Sequence, residues 1–207
     1  ASLTDTLLAD TVSTKVITTC NSWVAPTGSD DCNKCNPDDP SYIFKGKTGR
    51  KCTEYLCKSL GQSCALINQG TGNETCVSQN PNDVNAPILT KWEDVIDKKF
   101  KPLEDLNYGY RYKNKIPAFT RFPMAIKTDE PAQCKVSFNL GKEYKDMEVN
   151  YFGSPLYSYN HLMLITFPTQ EKIAAEGKIQ VTSGGDYKLY VRCQDSLGND
   201  NKRDYII

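Results

Sequence analysis

Ala132-Gln133-Cys134-Lys135-Val136-Ser137-Phe138 and Tyr187-Lys188-Leu189-Tyr190-Val191-Arg192-Cys193-Gln194 carry the most regular pattern in the chain. In the first stretch Ala132, Cys134, Val136 and Phe138 point one way and Gln133, Lys135 and Ser137 the other. In the second, Tyr187, Leu189, Val191 and Cys193 alternate with Lys188, Tyr190, Arg192 and Gln194. A period of two belongs to strands buried on one face. Both cysteines fall on the inward phase, so an inter-strand disulfide through the core is geometrically natural. Closing a loop of roughly 60 residues adds a few kcal/mol where native strain is small.

Further strands are expected at residues 122–127, 147–152, 162–167, 179–182 and 203–207. About seven short strands in roughly 90 residues predict a β-sandwich over residues 115–207. Ahead of it, residues 81–114 read as a linker and helical connector. Asn80-Pro81-Asn82-Asp83-Val84-Asn85-Ala86-Pro87 supplies the linker. Residues 92–100 predict a short amphipathic helix with Trp92, Val95, Ile96 and Phe100 on one face. Tyr108, Tyr110 and Tyr112 follow around Gly109.

The nine cysteines are unevenly placed. Cys20, Cys32, Cys35, Cys52, Cys57, Cys64 and Cys76 define a module over residues 20–80, while Cys134 and Cys193 stand apart. Dense cysteines staple a module too small to hold together by burial alone, and they place the chain in an oxidising, extracellular compartment. Residues 53–60 read as a short helix that Gly61 ends in a left-handed cap. If Cys134 pairs with Cys193, seven cysteines remain, enough for three bridges and one leftover thiol. Those seven allow about 105 arrangements. Asn73-Glu74-Thr75 is an N-glycosylation sequon. Ala1 follows no signal peptide, so a leader was cleaved or the chain is part of a longer one.

Residues 1–19 form a predicted extended strand. Seven of the nine residues Thr11-Val12-Ser13-Thr14-Lys15-Val16-Ile17-Thr18-Thr19 are β-branched. Such a segment, with no hairpin partner beside it, pairs with something distant: an edge of its own domain or a neighbouring copy. The last residues, Arg203-Asp204-Tyr205-Ile206-Ile207, stop on apolar side chains. Together these suggest assembly by strand exchange into a homopolymer, with Leu3, Leu7, Val12, Val16 and Ile17 as subunit-interface residues.

Composition removes several classes. In 207 residues, 25 Lys+Arg balance 25 Asp+Glu, so there is no basic stripe to neutralise phosphates and no nucleic-acid partner is expected. No run approaches the roughly 18 apolar residues of a membrane span. One histidine excludes all-His metal sites. Cys32-Asn33-Lys34-Cys35 could join Cys52 and Cys57 in a zinc site, but the second spacing is four and further cysteines crowd the segment. Compartment logic favours structural disulfides over zinc or a redox dithiol. His161 could serve as a base, yet no nucleophile motif accompanies it and a strand-edge role is favoured. Asp30/Asp31 and Asp38/Asp39 lack EF-hand spacing and read as solvated loop charges. Two converging acids could hydrolyse a glycoside, but nothing raises that above background. No catalytic residue, cofactor or metal is expected. The tyrosines, including Tyr108/Tyr110/Tyr112 and the cluster Tyr151/Phe152/Tyr157/Tyr159, are either interface anchors or internal packing, with a carbohydrate platform as a lesser role.

Thr128-Asp129-Glu130-Pro131-Ala132-Gln133-Cys134, with Tyr187 to Cys193 and Gln194-Asp195-Ser196-Leu197-Gly198-Asn199, resembles the Ig-like modules of prokaryotic, notably archaeal, cell-surface proteins. These are similar to fibronectin type III domains. The resemblance covers about residues 115–207 and departs from antibody domains, where a Tyr takes the place of Val191. It implies an extracellular scaffold, adhesion or spacer role without catalytic residues. Lys51-Cys52-Thr53-Glu54-Tyr55-Leu56-Cys57 through Gly61-Gln62-Ser63-Cys64 is similar to cysteine modules that precede such domains. The expectation is a mainly β chain: an N-terminal strand, a disulfide module with a short helix, and an Ig-like sandwich. It would serve as a structural subunit of an extracellular filament or surface layer. The alternative is an adhesin fragment that binds glycans or other surface proteins.

Overall fold

The structure, a computed structural model, describes residues 24–43, 51–147, 150–167 and 186–207. The predicted strands at residues 1–19 and 179–182, and Cys20, lie outside the described residues. What is described is mainly β with one short α-helix, as expected.

The disulfide module is built around six buried cysteines. Helix α1 (Glu54–Leu60) starts where Thr53 Oγ1 accepts the Leu56 N–H, an N-cap that satisfies an otherwise orphaned donor. Gly61 ends it, but not as a left-handed cap: its φ is 178°, extended backbone. Glycine is needed there for space, because a Cβ would stand 2.4 Å from the Gly28 carbonyl oxygen. Strands β1 (Cys64–Ile67) and β2 (Thr75–Ser78) form an antiparallel hairpin that the sequence pattern did not announce. The bridges Cys32–Cys64, Cys35–Cys52 and Cys57–Cys76 tie hairpin, helix and loop together.

Seven strands form one curled sheet: β3 (Leu89–Lys91), β4 (Leu103–Leu106), β5 (Gly109–Tyr112), β6 (Arg121–Ser137), β7 (Ser158–Thr166), β8 (Tyr190–Asp195) and β9 (Tyr205–Ile206). Their order is β3-β6-β8-β9-β5-β4, with β7 on the other side of β6. The segment read as a linker and helix therefore supplies three strands. Residues 92–100 are not an α-helix but two 3-10 turns, Glu93–Val95 and Lys98–Phe100. The sheet captures the backbone first: the Trp92 N–H continues the β3–β6 ladder to the Ala125 carbonyl. The four-residue spacing that resembled a helix survives as the buried anchors Ile96 and Phe100. Of the strand expected at 147–152, residues 148–149 lie outside the described residues, while 150–152 pair with β6 through the Tyr151–Lys135 bridge and bonds from the Val136 N–H to the Asn150 carbonyl and from the Phe152 N–H to the Cys134 carbonyl.

Strand β6 is the spine. Its first half has β3 on one edge and β7 on the other, and after Asp129-Glu130-Pro131 the second half pairs with β8. Cys134 and Cys193 stand directly opposite in that register, 4.0 Å apart at Cα and fully buried. Both Cys193 main-chain groups turn away to Asn201, so this is the narrow, non-hydrogen-bonded pair in which side chains approach most closely. The bridge staples neighbouring strands of one sheet.

Pro123 interrupts the β6 ladder without breaking it. It lies past the end of β3, where its missing N–H is not required. There the Tyr110 hydroxyl accepts the Ala125 N–H at 3.1 Å and the Tyr112 hydroxyl donates to the Pro123 carbonyl. The two hydroxyls thereby take hydrogen-bonding positions that a strand beside β6 would otherwise fill. Tyr108, Tyr110 and Tyr112 thus belong to a row of edge-to-face rings with Tyr205 and Phe122, and Phe100 packs tilted against Phe122. Their role is internal packing. Deeper in the second half, Arg192 Nε meets Asp204 Oδ1 at 2.5 Å, and the other Asp204 oxygen accepts the Gly141 N–H.

Candidate functional site: the junction of module and sheet

The disulfide module meets the sheet through polar side chains that reach far along the chain. Asn68, at φ 57° just after β1, accepts the Tyr157 N–H and donates to the Tyr157 carbonyl. Asparagine suits this turn because it tolerates the left-handed region better than most residues. Gln79 donates to the Ser196 hydroxyl, and Asn199 donates to the Asp83 carbonyl.

Between these tethers runs a cleft of about 210 Å³. Ile67, Thr75 and Val77 of the hairpin line it on the module side; Tyr157, Tyr159 and Asn160 line it on the sheet side. Val77 and Pro131 also border a smaller recess of about 60 Å³ that contains Glu130. Burial, then the nearby Asp195, Asp83 and Asp129, push the Glu130 carboxyl up to about 7. Those neighbours serve turns: Asp195 accepts the Leu197 and Asn199 N–H groups, and Asp129 accepts that of Ile88. Burial first, then Asp195 at Tyr157 and Glu130 with Asp129 at Tyr159, raises both phenols.

The residues singled out in the sequence fall as follows. All eight described cysteines are in disulfides, including Cys134–Cys193. Cys32 and Cys35 bond different partners, which a redox CxxC pair would not do. The sulfurs of Cys32, Cys64 and Cys76 lie within 4.8 Å of one another, but as bridges they offer no thiolate to a metal. Asp31 pairs with Lys34, and Asp39 accepts from Ser41 and Asn33, so these acids organise their own loop. Hydrogen bonds from Ser41 hold the Asp39 carboxyl below its ordinary value. Asn73 is exposed in the turn between β1 and β2, where a glycan has room. His161 is not at an exposed edge: it is 2% exposed, and burial lowers its imidazole to about 4. Its Nε2 has no hydrogen-bond partner, so it is a neutral core group. Leu3, Leu7, Val12, Val16 and Ile17 lie outside the described residues. No helix among the described residues is long and apolar enough to cross a membrane.

Sequence reasoning missed the cleft. Its walls come from residues 67–77 and 157–160, and only the cluster of tyrosines hinted at one side. No protein-family model, curated protein or solved structure matches the chain.

Proposed function

We propose that the chain is a non-enzymatic structural subunit of an extracellular filament or surface layer, assembled by strand exchange between copies. The observation that carries this reading is the outer edge of β7. The Ala125 N–H and C=O are both engaged on the β3 side of β6, which makes Ala125–Leu162 a pair whose facing main-chain groups point away from each other. Leu162 and, by alternation, Leu164 therefore present their N–H and C=O outward. Gly153 closes on the Leu162 main chain. Past it, no described strand pairs with β7 on that side. Leu162 and Leu164 are 43% and 49% exposed, an apolar pair on a nine-residue edge strand. Beyond the Gly153 contact the edge runs on from Met163 to Thr166, and an exposed apolar edge accepts another strand.

Four disulfides and the long-range tethers suit a subunit that must transmit load without unfolding in an oxidising medium. Residues 1–19 are the donor segment in this reading, with Leu3, Leu7, Val12, Val16 and Ile17 as anchors. Asn73 carries a glycan on the outer surface. Electron microscopy of the protein with and without residues 1–19 tests the assembly. The second reading, an adhesin fragment that binds glycan or protein, is favoured by the cleft at the junction.

A further inference from the structure

From the cleft between the β1–β2 hairpin and the start of β7, we infer a carbohydrate-binding site that takes one neutral or amine-bearing pyranose ring. The inference goes beyond assembly and does not depend on it.

Size is the first argument. The cleft, about 210 Å³, has room for a single sugar ring and falls below the roughly 300–1,000 Å³ of sites for drug-sized ligands. Surface chemistry is the second. A pyranose has one face of C–H groups and a rim of hydroxyls. It is recognised by an aromatic ring, whose negative face attracts the C–H groups, together with amides and hydroxyls at the rim. Tyr157 and Tyr159 supply rings, and Tyr159 is 44% exposed. Among the described residues no hydrogen bond engages the Tyr157 or Tyr159 hydroxyls or the Asn160 carboxamide, so three polar groups remain for a ligand. Ile67 and Val77 give the opposite wall an apolar surface.

Charge is the third argument, and it selects among sugars. Among the described residues no Lys or Arg lines the cleft, and Glu130 and Asp129 lie close enough to act on the Tyr159 phenol. An anionic sugar, a phosphate or a sulfate would meet like charge with no cation to offset it. A neutral sugar is unaffected and an amino sugar gains. The walls are also held in place: both main-chain groups of Tyr157 are bonded to Asn68. A preorganised wall reduces the ordering cost that weakens small-ligand binding.

Saturation-transfer NMR on the full chain tests the site. The probes are methyl galactoside, methyl mannoside, N-acetylglucosamine and glucosamine, with glucuronic acid as the acidic contrast. At least one neutral or amino sugar should receive saturation, and glucuronic acid should receive none. Tyr159→Ala and Asn160→Ala should each weaken binding by about tenfold, the effect of losing one stacking contact or one good hydrogen bond. Tyr55→Ala, at a ring 81% exposed on α1, should leave it unchanged. Circular dichroism checks that each variant keeps its sheet. No transfer to any neutral or amino sugar, transfer to glucuronic acid alone, or binding that survives both cleft variants would overturn the proposal.

Discussion

Asn68 holds the main chain of Tyr157 from both sides: its Oδ1 accepts the Tyr157 N–H at 2.8 Å and its Nδ2 donates to the Tyr157 carbonyl at 3.0 Å. Two residues 89 positions apart thereby fix the hairpin of the disulfide module against the first residues of β7. In Asn68→Ala both main-chain groups lose their partner, at a cost of about 1–3 kcal/mol for groups shielded from water. Hydrogen exchange should accelerate at the Tyr157 amide while the amides of β8 stay protected. Unchanged protection at Tyr157 would mean that other contacts hold the module.

A second prediction concerns the tyrosine pair along the open edge of β6. Tyr110→Phe leaves the Ala125 N–H buried without an acceptor and should cost about 1–3 kcal/mol in urea unfolding. Tyr112→Phe removes the donor to Pro123. Because the two rings pack edge to face, the double variant should lose less than the sum of the singles. Strict additivity would show that the hydroxyls act independently.

Part of this architecture was legible in the sequence and part was not, for identifiable reasons. The alternation in β6 and β8 runs long enough to establish a period of two, and the inward phase of Cys134 and Cys193 anticipated their bridge. Thr53 announced α1. Strands β3, β4 and β5 are only three or four residues long, too short to show a period, so their segment read as a linker. Tyr108, Tyr110 and Tyr112 did carry the alternation, but aromatic rings on one face look the same whether they pack inward or bind a partner. Gly61 was placed correctly at the helix end for a different reason from the real one, a close approach to Gly28. The cleft depends on which distant segments meet, information that local spacing does not contain.

Two titrating groups should shape stability in opposite directions. Burial lowers His161 to about 4 from an ordinary 6.5, so between those values the unfolded chain binds more protons than the folded one. Stability therefore falls as pH drops through that window, by up to about 3 kcal/mol. Glu130, raised to about 7 from an ordinary 4.5 by burial and its acidic neighbours, does the reverse. The folded carboxyl holds its proton more tightly, so its contribution is lost as pH rises through that range. Urea unfolding followed from about pH 4 to 8 should show His161→Leu flattening the acid limb and Glu130→Gln improving stability at neutral pH. An unchanged acid limb in His161→Leu would place the acid sensitivity elsewhere.

The cysteine arithmetic gives a prediction of its own. With eight of the nine cysteines paired among themselves, Cys20 has no partner left within the chain. Peptide mapping under non-reducing conditions should recover Cys32–Cys64, Cys35–Cys52, Cys57–Cys76 and Cys134–Cys193. Cys20 should be found as a thiol or joined to another molecule. A peptide linking Cys20 to any of the other eight within one chain would contradict the pairing.

Assembly by strand exchange is tested most directly by electron microscopy of the purified protein, full-length beside a version lacking residues 1–19. The expected result is regular filaments or sheets from the full-length protein and dispersed, folded particles from the truncated one. Filaments that persist without residues 1–19, or a full-length protein that stays dispersed, would contradict it.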